Sequence, residues 1–106
     1  MNKNEIRDKF IERIESNTTE SQKILEGLES TYQWLEELGT SEDLDRDANG
    51  RVSKERILCY NLMKVVTRLE RLIEAVRDVH GEGMIPVTIY KTAVNKVKQT
   101  FKKETV

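Results

Sequence analysis

Residues 53–80, SKERILCYNLMKVVTRLERLIEAVRDVH, constrain the fold of this chain more than any other stretch. Leu58, Leu62, Val65, Leu69, Leu72, Val76 and Val79 recur alternately four and three residues apart, the spacing that keeps one side of a helix against a neighbour. A second row, Cys59, Val66, Ile73 and His80, runs one residue beyond it. A stripe three residues wide in every seven suits packing against more than one helix, whereas two in seven suits a simple two-stranded coil. The spacing therefore predicts the central helix of a bundle, and an all-α fold.

The same frame continues through the N-terminal part of the chain. Phe10, Ile14, Asn17, Ser21, Ile24, Leu28, Thr31, Leu35 and Leu38 keep the four-and-three alternation, with Ile11, Leu25 and Tyr32 beside it. An unbroken frame favours one long helix over about residues 3–39, with Gly39 as its stop. Thr19-Glu20-Ser21-Gln22 has the form of a capping box, which offers the alternative of a break and a second start. The result is a three-helix bundle, or a four-helix bundle if the first helix breaks. A continuous helix would run roughly 54 Å against roughly 42 Å for the central one. Phe10, Ile11 and Ile14 would then need cover from the C-terminal helix or from a second subunit, so a homo-oligomer is expected.

Residues 40–52 form an acidic connection. Asp45, Asp47, Asn49, Gly50 and Ser53 occupy the first, third, fifth, sixth and ninth places of a pattern that resembles an EF-hand calcium loop. The resemblance implies a metal held by Asp45, Asp47, Asn49 and Ser53. It is incomplete, because the twelfth place, where a bidentate glutamate belongs, is Arg56, and the flanks lack the apolar residues of paired EF-hands. The plainer reading is a turn closed by Asn49-Gly50, with Ser53 capping the central helix.

On the polar side of the central helix, Lys64, Arg68 and Arg71 are four and three apart, with Tyr60 next to them. Like charges so placed repel by a few tenths of a kcal/mol, so the strip calls for an anionic partner. Glutamates of the first helix could supply it, as could a phosphate or other anionic small molecule bound at Tyr60, Lys64, Arg68 and Arg71. Charge asymmetry favours docking between parts of the molecule. Residues 1–50 hold 6 basic and 13 acidic side chains, a balance of −7, and residues 51–106 hold 12 and 6, a balance of +6. The two could meet within one chain or between chains.

His80-Gly81 marks the end of the central helix, and Pro86 suits the first turn of a last helix over about residues 86–103. Tyr90, Val94, Val97 and Phe101 form its apolar stripe, while Ile85, Val87 and Ile89 could alternatively make a brief strand. Lys96, Lys98, Lys102 and Lys103 give this segment a basic side, the only feature that suggests nucleic acid.

Catalytic groupings are thin. The pairs Glu12/Glu15 and Glu26/Glu29 with Glu74/Asp78 are the nearest approach to a carboxylate site, and Glu74/Asp78 stands away from the seam, so convergence is not expected. No phosphate loop or nucleophile motif is present, and the lone His80 and the lone Cys59 read as a helix-end residue and a buried hydrophobe. No catalytic residue and no cofactor is expected.

The charged fraction of 35% and aromatic fraction of 6% fit a soluble helical domain. No apolar run approaches the roughly 18 residues of a membrane span, and Met1-Asn2-Lys3-Asn4-Glu5 leads into no signal-peptide core, so a cytoplasmic protein is expected. Four functions fit these features. The first is a small non-enzymatic adaptor or inhibitor, of the sort found among accessory proteins of bacteria and their phages, that self-associates and binds a protein partner through helix faces. The others are an oligomeric binder of an anionic small molecule or nucleotide, a degenerate EF-hand-like calcium module, and a nucleic-acid binder.

Overall fold

The computed structural model describes residues 1–16, 20–42 and 49–104. They form four helices, α1 (Lys3–Glu15), α2 (Ser21–Gly39), α3 (Lys54–His80) and α4 (Met84–Glu104), with no strand among the described residues. The brief strand considered around Ile85–Ile89 is thus the first turns of α4.

The expected continuous helix over 3–39 is broken. Helix α1 starts on Asn2, whose side chain accepts from the Glu5 N–H at 2.8 Å. It ends at Ser16, where the backbone turns extended (φ −71°, ψ 154°) and the side-chain hydroxyl donates back to the Arg13 carbonyl at 2.7 Å. Glu20 (φ −153°, ψ 157°) opens α2 without a side-chain cap. Thr19, the first residue of the capping box, lies outside the described residues. Frame positions at the break are Asn17 and Ser21, so no apolar side chain there rewards continued helix. What the break gains is burial: α1 folds back, and Ile6, Phe10 and Ile14 fall to 0, 0 and 1% exposure.

Their cover comes from α2, α3 and α4 together. Phe101 packs on Phe10 with ring centroids 6.1 Å apart, and the buried Tyr90 hydroxyl donates to the Ile14 carbonyl. The uncovered seam that motivated a second subunit is therefore covered within one chain.

Helix α3 is capped by Ser53, whose hydroxyl accepts from the Arg56 N–H at 3.1 Å, and is closed by Gly81 (φ 71°), whose N–H donates to the Arg77 carbonyl at 2.7 Å. Its buried residues are Leu58, Cys59, Leu62, Val66, Leu69 and Ile73. The strict seam drifts out of the core: Val65, Leu72 and Val76 are half-buried, and Val79 is 78% exposed. A straight helix turns 3.6 residues per turn, so a 3.5-residue repeat slips by about 20° every heptad, and the second row takes over.

Helices α2 and α3 pack closely at Gly39, where an added Cβ would stand 3.2 Å from Cys59 Cβ. Gly39 is thus the last helical residue of α2, and its lack of a side chain serves helix contact. Termination falls to Thr40, whose N–H and hydroxyl both donate to the Glu36 carbonyl, at 3.1 and 2.9 Å. The core joins Ile24, Leu28 and Leu35 of α2 to the α3 row and to Val87, Tyr90 and Val94 of α4.

Candidate interaction face

At about 100° per residue, Lys64, Arg68 and Arg71 lie roughly opposite the core positions Val66 and Ile73, and all three are exposed. Tyr60 sits at the N-terminal end of this strip, 37% exposed. Its hydroxyl accepts from Arg56 Nε at 3.1 Å, and the Arg56 guanidinium lies 5.6 Å from its ring. Ile57, 48% exposed, extends the same face by one turn.

Glutamates of α1 and α2 were the expected partners of this strip. Among the described residues, none of Lys64, Arg68 and Arg71 forms an ion pair. Two pairs that do form lie elsewhere, Lys98 with Glu15 between α4 and α1, and Arg77 with Glu82 at 3.8 Å. The reason is position: α2 packs beside α3 and cannot reach over to the side facing away from the core. Three cations consequently stand together in water with their mutual repulsion uncompensated.

The outer side of α2 is the mirror case. Glu26, Glu29, Glu36 and Glu37 are exposed and, among the described residues, unpaired with any cation. Between the two helices runs a groove of about 330 Å³ lined by Leu25, Glu29 and Tyr32 from α2 and by Thr67, Glu70 and Glu74 from α3. Burial, then Glu74, then Glu29 push the Glu70 carboxyl above its ordinary range. Glu29 and Glu74 line the same groove, whereas Glu26 and Asp78 stand outside it. Glu70 was missed because it adjoins the seam residue Leu69 and reads as a flanking charge; its i, i+4 relation to Glu74 was the available signal. Among the described residues, no three His, Cys, Asp or Glu side chains are arranged to hold a metal ion.

The connection gives less. Asp45 and Asp47 lie outside the described residues. Gly50 has φ 76°, as an Asn-Gly turn requires. Ser53 is 4% exposed and its hydroxyl is committed to capping α3, which leaves it poorly placed as a metal ligand. Of the α4 lysines, Lys98 is tied to Glu15.

The geometry suits docking more than enclosure. Lys64, Arg68 and Arg71 are exposed on the outer side of α3, away from the wall of the α2–α3 groove. Cys59 is fully buried, and burial raises its thiol pKa, which suits packing and not nucleophilic attack. No helix among the described residues is long and apolar enough to cross a membrane. No protein-family model matches the sequence, and no curated protein or solved structure matches it, so function has to be read from the geometry.

Proposed function

We propose that this chain is a non-enzymatic helical interaction protein that works by docking its α2–α3 face onto an acidic protein surface, the acidic α2 of a second copy being the partner that its own charge distribution supplies. The observation that carries this is the unpaired strip Lys64, Arg68 and Arg71 on one helix of a face whose other helix presents unpaired Glu29, Glu36 and Glu37. A two-fold axis through such a face lays each α3 strip on the other copy's α2 and closes the assembly at two subunits. Ile57 and Tyr60 add apolar area at the end of the strip. Holding a small anion on the strip is less well supported, since three exposed side chains on the outer side of one helix offer it little enclosure.

Sedimentation tests it. At low salt the wild type is expected to run above the 12.4 kDa monomer and to fall back to it as salt screens the contact. The triple variant Lys64→Glu, Arg68→Glu, Arg71→Glu is expected to be monomeric at every salt concentration. Mixed with Glu29→Lys, Glu36→Lys, Glu37→Lys, it should form a one-to-one dimer. A wild type that stays monomeric at low salt, or a triple variant that assembles as the wild type does, refutes the reading.

A further inference from the structure

On the opposite flank of α2, where α1 ends, charge again meets open space. Arg13 and Ser16 of the α1 end and Lys23, Glu26 and Ser30 of α2 surround a groove of about 440 Å³ with Gly27 in its wall. A Cβ added to Gly27 would meet nothing within 4 Å. Glycine inside a helix costs roughly 1 kcal/mol relative to alanine. No close approach requires it here, in contrast to Gly39, and its consequence is an open floor. Thr31 Oγ1 donates to the Gly27 carbonyl at 2.7 Å, which keeps the Thr31 hydroxyl turned back onto the helix.

The two cations of the groove are poised. The Arg13 guanidinium lies 4.6 Å from the centre of the Trp34 ring, a stacking that holds the fork in place and leaves its N–H groups available. Neither Arg13 nor Lys23 has a carboxylate partner among the described residues. A held guanidinium, an ammonium and the Ser30 hydroxyl form a set that fits a phosphate group, the Ser16 proton being already given to the Arg13 carbonyl. Glu26 works against a bare anion, and its carboxylate already accepts from Gln22 Nε2 at 3.4 Å. Its remaining lone pairs suit a ligand that also brings hydroxyl donors.

We infer that this groove is a binding site for a small phosphate monoester with a hydroxylated body, of the sugar phosphate class. The phosphate lies between Arg13 and Lys23, and the hydroxyls face Glu26 and Ser30. The site is separate from the α2–α3 face and stands whether or not that face assembles copies.

Trp34 is the chain's one tryptophan, so its emission reports on the groove through the Arg13 guanidinium stacked on its ring. Ribose 5-phosphate, inorganic phosphate and ribose are titrated at constant ionic strength, with melting temperature as a second readout. Ribose 5-phosphate is expected to give a saturable change, inorganic phosphate to bind at least about tenfold more weakly, and ribose to give none. Lys23→Gln should weaken ribose 5-phosphate about tenfold, and Gly27→Leu, which fills the floor with a good helix former, should abolish binding. Lys64→Gln with Arg68→Gln should leave it unchanged, which separates this site from the docking face. The inference is overturned if ribose 5-phosphate gives no saturable response, if inorganic phosphate or ribose binds equally well, or if Gly27→Leu binds as the wild type does.

Discussion

Replacing Tyr90 with phenylalanine removes one oxygen and keeps the ring. The hydroxyl is buried, its residue being 1% exposed, and it donates to the carbonyl of Ile14. That carbonyl belongs to the last turn of α1, which ends at Glu15, so it has no N–H further along the helix to accept from. Removing the donor strands a buried acceptor, and the full desolvation penalty of such a group is about 1–3 kcal/mol. We expect a loss of about 2 kcal/mol, a substantial part of the roughly 5–15 kcal/mol that holds a domain together. Urea unfolding followed by circular dichroism should show a lower midpoint at unchanged slope, and a melting temperature lower by roughly 10 °C. Tyr32→Phe, at a half-buried tyrosine in the α2–α3 groove, serves as the control and should change little.

The pH dependence adds an independent check on the same contact. Burial holds the Tyr90 hydroxyl above its ordinary value of 10.0. The folded protein then keeps a proton that the unfolded chain releases, so the contribution of this group to stability is constant below pH 10 and falls as the pH rises above it. In Tyr90→Phe that alkaline fall should be smaller. A Tyr90→Phe protein within about 0.5 kcal/mol of wild type, with the same alkaline fall, would refute the latch between α4 and the end of α1.

Other outcomes follow from the same packing. Gly27→Ala should stabilise the protein by about 1 kcal/mol, since helix propensity rises and nothing obstructs the methyl group. Gly39→Ala should instead lose about 1 kcal/mol in the same unfolding assay, because its Cβ would press on Cys59 at 3.2 Å. Glu70→Gln should raise stability at neutral pH and flatten the acid limb of the pH profile. The sign follows from a folded carboxyl raised above 4.5, which makes stability fall as pH climbs from that value through the folded pKa. Cys59 should react with a thiol reagent at neutral pH only as fast as the protein opens, and denaturant should release it at once.

Local chemistry determined much of this protein in the sequence alone. The apolar spacing of Leu58 to Ile73, Ser53 at the start of α3, Gly81 at its end and the stripe from Tyr90 to Phe101 each act within a few residues, through helix periodicity or an orphan backbone group. They made an all-helical chain with these apolar stripes legible without coordinates. The tertiary structure decided what depended on competition between distant surfaces. Whether the first helix runs on past Glu15 turned on the burial that Ile6, Phe10 and Ile14 gain against the other three helices, and periodicity carries no information about that gain. The drift of the α3 seam came from the difference between 3.6 and 3.5 residues per turn, which accumulates only over a long helix. The candidate sites divide in the same way. Lys64, Arg68 and Arg71 were visible as one strip because they share a helix, but that they stand unpaired depends on where α2 lies. The groove that joins Arg13 to Lys23 beside Gly27 was not legible at all, since it exists only where one helix ends against another's flank.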